Sequence, residues 1–590
     1  MACIVFGAML GCTPGHQDSK LATYRGVHVD DVKTFDPAVA YDQISWDVIP
    51  DIYETLYDYD YLSETYKVAP LLALDLPSTS KDRLTVTIRL RPGVMFQDDG
   101  AFQATHGKGR ELVAADFIYG WKRLALPSLQ SGGWWIFDGK IAGINAFRDR
   151  LAKAGKEDQS RIFNEPIEGL QALDDHTLQI KLLKPYPQLQ FILTLPFTSP
   201  MAHEVVAAHA DPEGNVTDHP IGTGPFRLTQ WKRGNSLLLE RNPTYHASFY
   251  PTQASPTFTK QGLLTDSGRK LPFLDRIEIQ VIKEAQPAWL KFLKGEVDVL
   301  DIPKDNFGSA IQQQSILTPE LQAKGLHLSI DTGVSYYDVA INMKDKLLGG
   351  NKALRQALSS AIDREKWIEL FTNGRGRKQT TALPPGILDR PATSTLKYDF
   401  DLVRARNLMK KAGYPAGKGL PPLNFDLRGA DSVSRQLGEF FSQQWARIGI
   451  QVNIVYNSFP AFLEKSKQGN LQLSLGGWIM DYPDPENVYQ LLYGPNGAPG
   501  PNDSNFNHPV MNDLYKKMAL MNPGPARAAL IRKMDDLLQE EVPWALGYYS
   551  TDYRLSQPWL FNYRPGEVLL DRHKYLRIDP EVRARYRTTN

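Results

Sequence analysis

Between Pro422 and Gly494 the sequence reads as strand, helix, strand, helix, strand, an order that few architectures accommodate. Leu423, Phe425 and Leu427 alternate with Asn424 and Asp426, which predicts a strand with one apolar face, ending at Arg428 and Gly429. From Ser432 to Ile448, the residues Val433, Leu437, Phe440, Phe441, Trp445 and Ile448 recur at steps of three and four. They share one face of a helix, and that face needs a sheet to lie on. Gly449 stops it. Ile450, Val452, Ile454 and Tyr456 predict a second strand, Phe459 to Lys467 a shorter helix, and Leu471, Leu473 and Leu475 a third strand. Strands joined by helices of this length run parallel, and right-handed crossovers bring them into one covered sheet.

Ligands of such open sheets sit beyond the carboxyl ends of the strands. Two residues qualify by address: Arg428 ends the first strand, and Asp481 lies just past the third in Gly476-Gly477-Trp478-Ile479-Met480-Asp481. Gly476 and Gly477 free space where a ligand backbone could approach, and Trp478 supplies a flat apolar wall. A purely structural reading stands beside this one. In it Asp481 caps a turn in Asp481-Tyr482-Pro483-Asp484-Pro485, Arg428 is a solvated strand end, and the glycines relieve crowding in a bend. Asp484 as N-cap and Pro485 at the first position start the next helix, with Val488, Leu491 and Leu492 on one face.

Elsewhere the alternation predicts strands over 84–90, 177–182 and 276–282, and the helical period predicts Ala114 to Leu124, Pro287 to Lys294 and Ala353 to Ile362. Helices are also expected from Asp47 to Tyr57 and from Asn512 to about Glu541, the latter closed by Pro543-Trp544. Residues 98–110 form a loop bearing Gly and His, and 252–270 a surface excursion. Ile221 to Phe226 is a glycine-rich turn entering a strand; no helix follows, so it is no phosphate cradle.

With 590 residues the chain has room for several domains or two large lobes. A net charge of +1, with no basic stripe, excludes nucleic acid as an expected partner. Enzyme chemistry is not in evidence: there is no GxSxG elbow and no P-loop. His203-Glu204-Val205-Val206-Ala207 starts like a zincin helix, but His209 comes two residues too late for both imidazoles to meet one metal there. No metal and no cofactor are expected.

Ala2 to Leu10 is apolar but too short to span a bilayer, and Met9-Leu10-Gly11-Cys12 has the pattern of a bacterial lipoprotein signal, although no Lys or Arg precedes it. Cleavage before Cys12 would leave a lipidated cysteine at the head of a polar tether. Cys3 and Cys12 are the two cysteines, so a mature chain of this kind has no internal disulfide.

Several motifs, in order, resemble the family 5 solute-binding proteins of ABC transporters, the dipeptide and oligopeptide binders. They are Tyr53-Glu54-Thr55-Leu56, Ile88 to Phe96, Ala114-Ala115-Asp116-Phe117, Gly222 to Phe226, Arg241 to Tyr245, Leu293 to Asp298 and Arg355 to Arg364. The resemblance implies an α/β, two-lobed periplasmic binding protein, type II-like, with an extra subdomain in the first lobe and a hinge between the lobes. The expected division is a signal segment over 1–11, lobe I over 12–331 with its extra subdomain at roughly 55–195, lobe II over 332–545, and a return to lobe I over 546–590. Hinge segments are expected near Asp331 to Gly333 and Pro543 to Gly547.

In the peptide binders of this family an aspartate of a Gly-Trp-x-x-Asp segment holds the ligand ammonium; that segment is Gly477 to Asp481 here. Counting back from Trp445, Arg428 falls where the dipeptide binders place an arginine for the ligand carboxylate. One departure is Leu475, which stands where the oligopeptide binders carry an arginine, and another is an insertion around 101–110. The implied protein is a monomeric, lipid-anchored periplasmic receptor that captures a short peptide and passes it to membrane permease subunits. Another solute, such as a nickel chelate, an opine or a sugar, is the alternative within the family, and a secreted hydrolase the alternative outside it.

Overall fold

The computed structural model describes residues 21–589, except 314, 393 and 394; the apolar leader and Cys12 lie outside the described residues. The Leu423–Leu427 strand pairs in parallel with Val452–Tyr456 on one side and Leu473–Leu475 on the other. Helices Ser432–Ala446 and Phe459–Lys467 make the crossovers. The Asp431 side chain starts the first of these by accepting the amides of Val433 and Ser434. Its apolar stripe does lie on the sheet: the rings of Phe441 and Trp445 each meet Phe425 with centroids 5.2 Å apart.

Beyond Leu473–Leu475 the sheet becomes antiparallel. Ser335–Ile341 pairs with that strand and with Trp544–Tyr549, and Arg377–Lys378 forms the far edge. Three further sheets belong to the two ends of the chain. One orders Thr23–His28, Arg276–Val281, Ser236–Arg241 and Phe226–Lys232; another orders Ser78–Thr79, Thr85–Arg89, Thr177–Lys181 and Leu170–Asp174, within the expected extra subdomain. The third sets Asp552–Ser556 between Val299–Asp301 and His327–Asp331. Among the described residues no helix is long and apolar enough to cross a membrane.

Two connections link the halves, and they run side by side. His327–Asp331 ends opposite Asp552, and Ser335–Ile341 begins opposite Tyr549. The Ser550 amide donates to the Ser335 carbonyl at 3.0 Å between them. The chain passes from one sheet to the other over Ser550-Thr551, and Trp544 to Gly547 lie inside the buried Trp544–Tyr549 strand. Gly547 serves close packing: a Cβ there would stand 2.4 Å from the Tyr337 carbonyl oxygen.

Two helices differ from expectation. The segment from Asp47 to Tyr57 holds only Ile49–Ile52, after a separate turn of helix at Gln43–Trp46, and it runs into the Tyr57–Tyr59 strand. Pro50 cannot donate to continue the preceding turn, and beyond it the Leu56 carbonyl accepts from Leu71 and Ala73. Val48, Ile52 and Leu56 are buried all the same. The run toward Glu541 is two helices, Pro509–Met518 and Pro525–Glu541, because Pro523, Gly524 and Pro525 interrupt the amide ladder.

The carboxyl-terminal segment ties lobe I together. Arg572 pairs with Asp47, His573 Nδ1 lies 2.8 Å from Asp51, and Lys574 pairs with Asp571 and, at 3.5 Å, with Asp58. Arg564 donates to the carbonyls of Tyr61 and Ser63 at 2.6 and 2.7 Å.

Candidate functional site

The Trp478–Ile479 strand pairs with the start of Ser335–Ile341, placing Tyr336 opposite Trp478. To reach that position the chain must cross the central strand closely. A Cβ at Gly476 would meet Asp338 Oδ1 at 2.1 Å, and Gly477, at φ +146°, would place one 2.6 Å from the Tyr336 carbonyl oxygen. The protein itself thus uses the space the two glycines free.

From there the segment leaves the sheet and delivers Asp481 to a narrow cleft whose cavity is about 20 Å³. Asp481 alone among its lining residues comes from the 334–549 portion; Tyr53, Glu54, Asp58, Tyr59, Thr194 and Asp571 of lobe I line the rest with their neighbours. Asp481 Oδ1 accepts from the Tyr41 hydroxyl at 3.2 Å, and Oδ2 accepts from Asn487 Nδ2 at 2.9 Å. No cation among the described residues pairs with it, and burial pushes its carboxyl up to about 6. The facing wall is acidic as well. Burial raises Asp58 and Asp571 against the pull of the one Lys574 ammonium they share.

Arg428 sits just beyond the Leu423–Leu427 strand, with its guanidinium 5.3 Å from the Phe462 ring centroid. Its Nη2 donates to the Gly477 carbonyl at 3.3 Å, and its buried Nε finds no hydrogen-bond partner among the described residues. Burial pushes Asp338 up to about 7, and the Arg428 charge works against that rise. Arg428 and Asp481 are therefore attached to the two ends of one five-residue segment.

Trp478 is held by its indole Nε1, which donates to Asn487 Oδ1 at 2.9 Å. Asn487, fully buried in the helix that Asp484 caps, did not stand out in the sequence, nor did Tyr41. The Asp484-Pro485 start was the available signal for Asn487, since it places that residue one turn behind Asp481. Next to Asp481, Tyr482 stacks on Trp135 and Phe191 of lobe I at 6.2 and 6.3 Å, so this segment joins the two halves.

Other motifs that carry the resemblance are architectural. Glu54 accepts from the Thr223 hydroxyl at 3.0 Å and the Tyr245 hydroxyl at 2.9 Å, with His246 Nε2 at 2.9 Å. Three distant motifs thus meet on one carboxylate. A Cβ at Gly222 or Gly224 would strike the Ile52 carbonyl at 2.2 or 2.6 Å, which accounts for both glycines.

Two lobes joined by paired hinge strands, with a cleft between them lined by charges from both, define an α/β solute-binding protein. The family follows from the sequence match. The description "Bacterial extracellular solute-binding proteins, family 5 Middle" fits residues 67–500, and the chain belongs to that family. Its relatives include the oligopeptide-binding protein OppA of Bacillus subtilis, 24% identical, with 93% of this chain and 91% of that protein covered. Heme-binding protein A of Haemophilus influenzae is also 24% identical, over 82% of this chain and 79% of its own length. A solved structure of the periplasmic binding protein DppA from Helicobacter pylori, in complex with the peptide STSA, superposes with a TM-score of 0.71 at 22% identity. That likeness covers 95% of this chain and 98% of the other, and it establishes the shared fold.

Proposed function

We propose that this chain is the extracytoplasmic receptor of an ABC importer that captures short peptides between its lobes, with Asp481 holding the ammonium and Arg428 the carboxylate. The observation that carries this reading is a cleft carboxylate that pairs with no cation among the described residues, on a five-residue segment whose other end, the Gly477 carbonyl, accepts from a guanidinium with a buried Nε that finds no partner among them. From Gly477 to Asp481 an extended chain covers at most about 13 Å, the order of length of a di- or tripeptide. Trp478 and the Gly476-Gly477 backbone would form the wall along which the ligand lies. The acidic lining favours a ligand that brings positive charge, which a haem with two propionates does not.

Rotation about Asp331 to Ser335 and Ser550-Thr551 would open and close the cleft without unpacking either core. The division at these crossings, with lobe II over 334–549, is part of the proposal. So are anchoring through a lipidated Cys12 at the cell envelope, a monomeric state, delivery to permease subunits, and the absence of covalent chemistry.

The test is mass spectrometry of what the purified protein releases on denaturation, followed by calorimetry with the species found. Short peptides that rebind are expected, and the scattering radius should shrink on rebinding. Recovery of haem or a metal chelate, together with no heat from any di- or tripeptide, would overturn the reading.

A further inference from the structure

We propose that Asp99, His209 and His219 form a binding site for a divalent transition metal ion, Zn2+ in the first instance, in lobe I and outside the lining of the cleft. His209 ends the His203–His209 helix, His219 lies on the strand-free segment leading to the Gly222 turn, and Asp99 opens the 98–110 loop. His209 Nε2 is 3.0 Å from Asp99 Oδ1, and His219 Nε2 is 2.8 Å from Oδ2. The two imidazoles stack with centroids 3.7 Å apart and 23° between planes. All the ligating atoms fall within 4.8 Å of one another.

Two neutral imidazoles and one carboxylate are the donor set that suits Zn2+, leaving a fourth position to water. Metal bonds of about 2.0–2.2 Å at tetrahedral angles place neighbouring donor atoms about 3.3–3.5 Å apart. The two nitrogen-to-oxygen separations are shorter than that by about half an ångström. Withdrawal of the carboxylate by that amount opens a position for the ion, with each Nε2 already facing one of its oxygens. The Ala101 amide, donating to Asp99 Oδ1 at 2.8 Å, holds the carboxylate toward the histidines. His219 and His209 are 44% and 27% exposed, which gives an ion a route from solvent.

The surroundings leave the site free to take a cation. Lys108 is engaged by Asp98 at 2.8 Å, and Arg110 by both Asp116 and Glu204 at 2.6–2.9 Å. Those Arg110 bonds fix the far end of the same loop to the start of the His203–His209 helix. An ion at Asp99 would fasten its near end to the helix terminus. The ligands are 110 and 120 residues apart in the chain, so the ion would close long loops and bind only the folded state. None of the three residues lines the cleft, so metal binding and ligand binding are separate properties.

The experiment uses untagged, chelator-stripped full chain titrated with Zn2+ alone, read by calorimetry, elemental analysis and thermal melting. One Zn2+ per chain and a higher melting temperature are expected. Co2+ should give the visible absorption of a four-coordinate ion. His219→Ala and His209→Gln should each lower the affinity by about a hundredfold or more and remove the melting shift, while peptide affinity stays within about twofold. No saturable binding by the wild type would overturn the site, as would wild-type Zn2+ affinity in both variants, which puts the ion elsewhere.

Discussion

Asn487 and Asp481 are bonded twice: Nδ2 of Asn487 donates to Asp481 Oδ2 at 2.9 Å, and its Oδ1 accepts the Asp481 amide at 3.1 Å. Since that Oδ1 also takes the Trp478 indole, one buried amide orients the carboxylate and the ring together. Asn487→Leu keeps the branch at Cγ, with bulkier ends, and removes all three bonds. It should cost about 1–3 kcal/mol of stability through the groups left unsatisfied. Ligand affinity should fall about tenfold, equivalent to about 1.4 kcal/mol. Urea unfolding and calorimetry measure the two effects; unchanged affinity would mean that Asp481 needs no such orientation.

Asp481→Asn should weaken peptide binding by about a hundredfold or more, because it leaves the ligand ammonium unpaired in the cleft. N-acetylation of the peptide should hurt the wild type much more than this variant. Arg428→Met should behave alike toward carboxyl-terminal amidation. A four-way calorimetric cycle reads both couplings, and equal losses from acetylation in wild type and Asp481→Asn would remove Asp481 from the ammonium role.

The raised Asp481 carboxyl predicts a pH dependence with a definite sign. Its ordinary value is 3.8 and its folded value about 6, so between these the folded chain keeps a proton that the unfolded chain has lost. The contribution of this group to stability therefore falls as pH rises through that window and is flat above it. A ligand ammonium prefers the anion, so binding should release a proton, and affinity should climb from about pH 5 to about pH 7. Asp338, lifted to about 7, titrates just above. Calorimetry near pH 6 in buffers of different ionisation enthalpy should show proton release that is smaller in Asp481→Asn; equal release in both would assign the proton elsewhere.

Lys574, fully buried, is the ammonium shared by Asp571 and Asp58, and their charges hold its own value well above normal. Lys574→Met strands both acids, at a cost of about 3–5 kcal/mol. The two raised carboxyls can then take up protons, so the loss should be smaller at pH 5 than at pH 8. Denaturation midpoints at the two values provide the check; the same loss at both would mean that neither acid titrates there.

What could be read from the sequence was whatever has a short period. The 423–475 series kept its strands, its helices and the parallel pairing, because alternation and the helical stripe each record burial on one face. Arg428 and Asp481 are candidates by their address at strand ends, which is an argument about direction, and direction is legible in a sequence. The functions of Gly476 and Gly477 were not decidable in that way, since their crowding comes from Asp338 and Tyr336 on a strand more than 130 residues earlier. Asp47 to Tyr57 looked helical because its apolar residues are buried, but they are buried by a single short Ile49–Ile52 helix and the extended chain that leads from it into the Tyr57–Tyr59 strand. Asn487, Tyr41 and the partnership of His209 with His219 and Asp99 have no local spacing to betray them. Each is assembled by tertiary contact.

The pairing of Arg572, His573 and Lys574 with the acids of residues 47–58 bears on the order in which the molecule is made. Every strand of the 334–549 sheet is available once residue 549 has been synthesised, so that half can fold while the chain is still emerging. The other half begins first and finishes last: its amino-terminal acids, Asp47, Asp51 and Asp58, wait more than 500 residues for their cations. A receptor built this way has a wall of buried negative charge until its carboxyl terminus arrives, so a chain interrupted near residue 560 should be recognisable as unfinished by its sensitivity to protease.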